Sequence, residues 1–326
     1  MPEPRMIART APIARTKPCP LTFVIPVLNG ERFIGRCLAH LRLEARPDDE
    51  VLVVDNGSTD RTRELAVAGG GTLIEAPGVS IAALRNLGAA RARHAVLAFV
   101  DADCLICPGW RAAVERILTD PEVAATGSFY DLPEAPTWVE RAWWSFRPRH
   151  EHRANFLISG NFVVRRTSFD AVGGFDPSLV TDEDSDISRR LVDSGAVLVE
   201  APSVRVIHLG NAKTLAQFFH KERWHATSVL ATMRAHGVDR SMAMTFTFMG
   251  LTLSAILTLV LGPPHPRTVI AALLLIAAAP GATATLKVLR YRNYRFLPEL
   301  VLLNLVVLTV RSLTVLEAAL PRGPAR

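Results

Sequence analysis

The stretch His94-Ala95-Val96-Leu97-Ala98-Phe99-Val100-Asp101-Ala102-Asp103 sets the fold. His94 to Val100 reads as a buried strand, short, apolar and without a helical period. It stops on two carboxylates one residue apart. Alternation along an extended chain sends such a pair to opposite faces, so a turn must bring Asp101 and Asp103 to one point. Carboxylates gathered there suit a hard divalent cation, which takes oxygen ligands and bridges to phosphates.

The same unit recurs upstream. Leu21 to Val27 is a buried strand ended by Asn29-Gly30, and Glu31 to Glu44 is a helix with Phe33, Cys37, Leu38 and Leu41 at helical spacing. Glu50 to Val54 is a second strand, followed by the polar turn Asp55-Asn56-Gly57-Ser58-Thr59-Asp60 and a helix from Arg61 to Ala68. Thr72 to Glu75 is a third strand, and Ser80 to Ala92 a helix carrying Arg85 and Asn86. Beyond the acidic pair, Pro108 to Leu118 is a helix with proline at its start. Repeated strand–helix units imply an α/β fold with a mostly parallel sheet covered on both faces. Ligands in such folds bind beyond the carboxyl ends of the strands, where these acidic and Asn/Gly-rich turns fall.

The following region is less regular. Val123 to Tyr130 is a strand, and Ser159-Gly160-Asn161 leads into another from Phe162 to Arg165. After the turn Gly173-Gly174-Phe175-Asp176, Thr181 to Asp186 opens a helix reaching about Ser194, with more acids than a cap requires. Val197 to Glu200 and Val204 to His208 are strands, and a long helix runs from Asn211 to about His236. Arg141, Arg147, Arg149, His150, His152 and Arg153 surround Trp143-Trp144 and Phe146. That patch either touches a membrane or polyanion, or is a solvated loop anchored by tryptophans.

Composition separates two regions. The 326 residues are 49% hydrophobic and 21% charged, which excludes a largely disordered chain. The apolar excess is concentrated late. Met242 to Gly262 and Thr268 to Leu286 contain no charge, the second being interrupted only by Pro280-Gly281, and about 20 such residues span a bilayer core. A third run, Phe296 to Val310, contains Glu299 and Asn304, then meets Arg311 and continues apolar to Leu320; it spans or lies at the interface. Arg234 and Arg240 precede the first span; Lys287, Arg290, Arg292 and Arg295 follow the second; the loop Pro263 to Arg267 has one Arg. By the positive-inside rule both dense flanks, and the large N-terminal region of about residues 20 to 236, are expected to be cytoplasmic, at the inner membrane. The net charge of +6 is thereby accounted for by lipid headgroups, without nucleic acid. The expected division is a disordered tail over 1–19 with no apolar leader run, a catalytic domain over 20–236 and a membrane domain over 237–326. The four cysteines are Cys19, Cys37, Cys104 and Cys107, and Cys104-x-x-Cys107 has no second pair at zinc spacing. In a cytoplasmic region they are expected to be reduced.

The acidic sites allow more than one chemistry. With a metal at Asp101 and Asp103, Asp184 would serve as a general base toward a hydroxyl nucleophile, and His208, after a strand, as a further metal ligand or a structural hydrogen bonder. Leu97 to Asp103 also resembles the opening of a haloacid-dehalogenase-type phosphatase, with Asp101 as nucleophile, but that reading gives Asp55 and the Arg85-Asn86 helix no role. A membrane scaffold without chemistry is a further alternative. No G-x-G-x-x-G follows Leu21 to Val27, against dinucleotide binding.

Taken in order, Val24-Ile25-Pro26-Val27-Leu28-Asn29, Val53 to Asp60, Arg85-Asn86-x-Gly88, Asp101-Ala102-Asp103, Ser159-Gly160-Asn161, Gly173 to Asp176, Glu183-Asp184 and Gln217 to Trp224 resemble the family 2 glycosyltransferases, in the branch with C-terminal membrane helices. The resemblance covers roughly residues 20 to 236. It implies a GT-A fold and inverting transfer from a nucleotide-sugar, UDP-linked in the family-wide expectation, to a lipid-linked or membrane-delivered acceptor. It implies that the Pro26 loop with Asn29, Asp55 and Asn56 holds base and ribose, and that Arg85 and Asn86 position the nucleotide or its phosphates. Asp103, with Asp101 and His208, would hold Mn2+ or Mg2+. Gly160 and Asn161 would line the donor sugar and acceptor floor, Asp184 would be the base, and Glu183 would flank it. Gln217, Arg223 and Trp224 resemble the Q-x-x-R-W element of processive synthases, but Gln217 stands too far ahead of Arg223, which argues against polymerisation.

Overall fold

The computed structural model describes residues 20–228, 233, 237–238 and 240–319. The tail expected over 1–19 with its Cys19, Arg234, the expected helix end near His236, and Leu320 lie outside the described residues. The chain forms two compact units, one from the described part of Met1–Pro133 with Pro148–Asn211, the other from Glu134–Arg147 with the described part of Ala212–Arg326.

The first unit is built on a sheet of order β3-β2-β1-β4-β8-β6-β9-β7. Its strands are β1 (Leu21–Val27), β2 (Glu50–Asp55), β3 (Thr72–Glu75), β4 (Val96–Val100), β6 (Val123–Gly127), β7 (His152–Ala154), β8 (Asn161–Arg165) and β9 (Val197–Glu200). Pairing is parallel across β3, β2, β1 and β4, and β2, β3 and β4 are each preceded by a helix that returns the chain: α1 (Ile34–Glu44), α2 (Thr62–Ala68) and α3 (Ile81–Arg91). The Ser80 side chain caps α3 by accepting from the Ala83 amide. Proline is tolerated in β1 because the β1–β4 register stops at Val24, so Pro26 owes β4 no amide hydrogen.

The sheet is mostly parallel, as expected, with two antiparallel strands worked into it. β8 runs antiparallel to both β4 and β6, and β7 antiparallel to β9. The chain leaves β6 and enters β8 at the same end of the sheet, so β8 must run back alongside β4. A second ladder pairs β5 (Cys104–Ile106) antiparallel with β10 (Val206–His208) directly after the acidic turn. The core beneath holds Phe99, Phe162, Phe169 and Phe175, with Phe99 meeting Phe175 edge-on at 5.1 Å; such a pair adds about 0.5–1.5 kcal/mol beyond its burial. Two further helices, α4 (Trp110–Ile117) and α6 (Arg166–Ala171), and the acid-opened α7 (Glu183–Asp193) complete the unit.

The second unit contains α5 (Trp138–Trp144), α8 (Leu215–His225) and three long helices, α9 (Arg240–Leu261), α10 (Pro266–Tyr291) and α11 (Leu297–Ala319). The start of the aromatic and basic patch, through Trp144, lies on helix α5, while the residues from Ser145 to Glu151 are not helical. A capping box starts the helix: Glu140 Oε2 accepts from the Thr137 amide at 2.8 Å while the Thr137 hydroxyl accepts from the Glu140 amide. Trp143 packs edge-on against Phe218 at 5.0 Å. Helix α8 ends at His225 and gives way to a 3-10 turn, Ala226–Ser228.

All three long helices have the length and composition to cross a membrane, with mean hydropathies of 1.9, 2.1 and 1.9. The third run is thus a full 23-residue helix. Two of its polar residues are absorbed locally: the Asn304 amide donates to Leu300 O at 2.7 Å and Ser312 to Leu308 O at 2.7 Å. In α9, Thr245, Thr247, Ser254 and Thr258 also donate four residues back. A bilayer core offers no water, so such back-donation to the helix's own carbonyls suits a membrane-crossing helix. Helix α10 continues through Pro280 rather than breaking there.

Candidate active site

All the candidate residues of the first unit lie at the carboxyl ends of its parallel strands or on the segments facing them. At the β1 and β2 ends, Asp55 is fully buried. Its Oδ2 accepts from the Gly57 and Ser58 amides at 3.1 and 2.9 Å, and its Oδ1 from the Ser58 hydroxyl. Asn29 adopts a left-handed φ of 49°, a conformation Asn tolerates better than most residues. Its amide donates to Ser58 Oγ at 2.8 Å, and its Oδ1 accepts from the Thr59 amide at 2.9 Å. The two loops are therefore knitted together. Asn56 exchanges both side-chain bonds with the Val79 backbone, each at 3.1 Å.

Arg85 is the electrostatic centre. At 1% exposure it donates to Asp101 Oδ1 at 2.7 Å and to Glu183 Oε1 at 2.8 Å. Burial opposes its charge, yet Asp101 and Glu183 together hold the guanidinium above its ordinary range. Glu183 Oε1 also accepts from Ser159 Oγ at 2.9 Å. Beside it, Asp184 is half-buried, and burial together with the Glu183 charge pushes its carboxyl up to about 7. The preceding Asp182 sits at a left-handed φ of 66°, so strained backbone leads into this helix.

Asp103 faces His208, with Oδ1 3.3 Å from Nε2. Three residues that the sequence reading overlooked organise the pair. Asn211 donates to His208 O at 3.1 Å, which leaves its Oδ1 to accept from His208 Nδ1 at 2.8 Å. That bond puts the proton on Nδ1 and turns the Nε2 lone pair toward Asp103. Tyr130 stacks on the imidazole at 4.3 Å and its hydroxyl lies 3.3 Å from Asp101 Oδ2. Gly210 allows Asp103 close: a Cβ there would stand 1.9 Å from Asp103 Oδ2. Asn211, three residues past His208, was the one signal available; Tyr130 and Gly210 had none.

Other candidates are placed differently. The Asn161 side chain is fully buried and binds Trp110 Nε1, the Ser128 backbone and hydroxyl, and Val204 O, so it braces strands rather than lining an opening. Gly160 does adjoin the cluster, since a Cβ would meet Tyr130 Oη at 2.2 Å and Asp101 Oδ2 at 2.3 Å. The Asn86 amide is spent on the Phe175 backbone, donating at 2.7 Å and accepting at 2.9 Å. Arg223 and Trp224 belong to the second unit, where Arg223 pairs with Glu317 at 3.0 Å and Trp224 is exposed.

A carboxylate and an imidazole nitrogen facing one another fit a divalent cation such as Mn2+ or Mg2+. The neighbouring Cys104 thiol is buried, and its burial followed by the Asp103 and Asp101 charges pushes it well above its ordinary value. A protonated thiol adds nothing to a hard cation.

The first unit has the Rossmann-like GT-A fold. With 19% identity and a TM-score of 0.61, the chain matches the mannosyltransferase PcManGT from Pyrobaculum calidifontis, solved with GDP-Man and Mn2+, over 91% of this chain and 88% of that one. Residues 22–173 match glycosyl transferase family 2. Over 201 residues the chain is 29% identical to glycosyltransferase AglE of Haloferax volcanii, covering 58% of this chain and 66% of that protein. Over 203 residues it is 30% identical to the pre-mycofactocin glycosyltransferase of Mycobacterium tuberculosis, covering 58% and 42%. The matches span less than two thirds of either curated relative. The match to glycosyl transferase family 2 is thus one of residues 22–173, less than half of the chain.

Proposed function

We propose that the first unit catalyses inverting transfer of a sugar from a nucleoside-diphosphate sugar to an acceptor hydroxyl. The observation that carries this reading is Arg85, whose single guanidinium ties Asp101, on the metal side, to Glu183, neighbour of the half-buried Asp184. Asp103 and His208 would hold the divalent cation, which when bound would neutralise charge on the departing diphosphate. The loops around Asn29, Asp55 and Asn56 shape the nucleotide end. Asp55 acts there by fixing the 57–58 backbone, and Asn86 by fixing the 173–175 turn.

Asp184 accepts the acceptor proton as the hydroxyl oxygen forms its bond to the anomeric carbon. The carbon–oxygen bond to the diphosphate breaks on the opposite face, and one in-line displacement inverts the centre. The raised proton affinity of Asp184 suits a base operating near neutral pH.

The three apolar helices are consistent with membrane anchoring. The basic flanks support a cytoplasmic catalytic unit, and the anchor supports an acceptor that is lipid-linked or delivered at the bilayer. The phosphatase alternative finds less support: Asp101, its required nucleophile, is held by both Arg85 and Tyr130.

The test is single-turnover sugar transfer by the detergent-purified chain and by D184N. The expected result is at least a ~100-fold loss of turnover with nucleotide affinity retained. Full activity in D184N would remove Asp184 from the mechanism.

A further inference from the structure

We propose that Asp103, Cys104 and His208 form a thiol-containing site for a soft or borderline divalent cation, Zn2+ above all, which competes with the hard cation of sugar transfer. The proposal rests on reading Asp103 and His208 as the donor-cation site.

The β5–β10 register makes the juxtaposition. Cys104 stands directly opposite His208 in the antiparallel ladder, and directly opposed residues present their side chains on one face. Asp103 immediately precedes Cys104. One ligand atom from each of the three, a carboxylate oxygen, a thiol sulfur and an imidazole nitrogen, lies within 4.8 Å of the other two. Zinc bonds of about 2.0–2.3 Å in a tetrahedron require ligand atoms about 3.3–3.7 Å apart. His208 Nε2 and Asp103 Oδ1 already stand at 3.3 Å. The imidazole is aimed by Asn211, the outer-shell partner that a metal-bound histidine requires.

The other two buried thiols point elsewhere: Cys37 Sγ donates to Asp101 O at 3.7 Å and Cys107 Sγ to Leu105 O at 3.8 Å. The Cys104-x-x-Cys107 spacing is therefore not the metal-binding element; His208 and Asp103 replace the missing second pair.

Donor chemistry then separates the metals. Mn2+ and Mg2+ prefer oxygen and gain little from sulfur, whereas zinc combines thiolate, imidazole and carboxylate in one tetrahedral set. As the zinc–sulfur bond forms, the Cys104 proton passes to solvent, with no change of oxidation state. Three protein ligands leave a four-coordinate ion one open position, too few for a diphosphate to bind through two oxygens. Zinc would thus block the donor site.

The experiment titrates the full chain in detergent with Cd2+, read by its thiolate charge-transfer absorbance, and with Zn2+ and Mn2+, read calorimetrically. Wild type should develop the Cd2+ absorbance, C37S and C107S should retain it, and C104S should lose it. C104S should also bind Zn2+ at least ~10-fold more weakly with Mn2+ affinity unchanged. H208A is the second variant: it keeps the thiol and should likewise weaken Zn2+ at least ~10-fold. Persistence of the absorbance in C104S, its loss in C37S or C107S, or unchanged Zn2+ affinity in C104S or H208A would overturn the proposal. A separate titration of nucleoside diphosphate with Mn2+ distinguishes the two readings. Cd2+ absorbance without nucleotide binding would sink the donor-site reading and leave the thiol site standing; nucleotide binding without the absorbance would do the reverse.

Discussion

Arg85 Nη1 lies 2.8 Å from Oε1 of Glu183, a residue 98 positions away in the chain. The same guanidinium holds Asp101, so one buried cation ties α3 to the end of β4 and the start of α7. Removing it leaves two enclosed carboxylates facing each other. Breaking a buried pair in this way costs about 3–5 kcal/mol. R85A should melt well below wild type. R85K keeps the charge but not the fork, and should fall between them. Equal melting temperatures for R85A and wild type would show that the bridge carries no stability.

Asp184 titrates upward, to about 7, through burial and then the Glu183 charge. As a base it must be deprotonated, so kcat/KM should fall about tenfold per pH unit below that value. The stability linkage has the opposite sense from that of a salt-bridged acid. Between the unfolded value near 3.8 and about 7 the folded state binds more protons than the unfolded one, so this group's contribution to stability falls as pH rises through that window. D184N, read by thermal unfolding at pH 5 and pH 8, should show a flatter dependence than wild type. An identical slope would place the raised group elsewhere.

Asn211 holds the His208 tautomer. N211A frees Nδ1 and should weaken Mn2+ affinity about 10–100-fold, the usual cost of losing an outer-shell partner. H208A should lose more. Calorimetric Mn2+ titration of both checks the order, and unchanged affinity in H208A would return the histidine to a structural role.

Gly160 has no room for a side chain. A Cβ would press on Tyr130 Oη and on Asp101, which Arg85 already fixes. Overpacking of this kind costs about 1–3 kcal/mol, and here it acts at the site. G160A should fold with a lowered melting temperature and bind Mn2+ and nucleotide at least ~10-fold more weakly. Wild-type affinity would mean that Asp101 can move without consequence.

The parallel half of the sheet was legible because its strands are continuous apolar runs ended by Asn29, Asp55 and Asp101, and each returns through a periodic helix. Both members of the Arg85–Glu183 pair were also named from sequence. Their contact was not, since nothing in spacing reports a 98-residue closure. The antiparallel direction of β8 was not legible because no local signal marks the end at which the chain re-enters the sheet. β5 and α6 are too short to carry a period. α5 was obscured by its tryptophans and basic neighbours, although Thr137 and Glu140 carry a capping-box signature. Tyr130 stacks on His208 across the bridge between Asp131 and Ile207, a contact that no local spacing reports, whereas Asn211 acts from three residues along the chain.

The most direct test is calorimetric titration of the detergent-purified chain with UDP, GDP and dTDP, each with and without Mn2+. Donor binding centred on Asp103 and His208 predicts that one nucleotide binds tightly, that this binding requires Mn2+, and that it is lost in H208A. A folded sample that binds none of the three, or binds one equally well without metal, would contradict it.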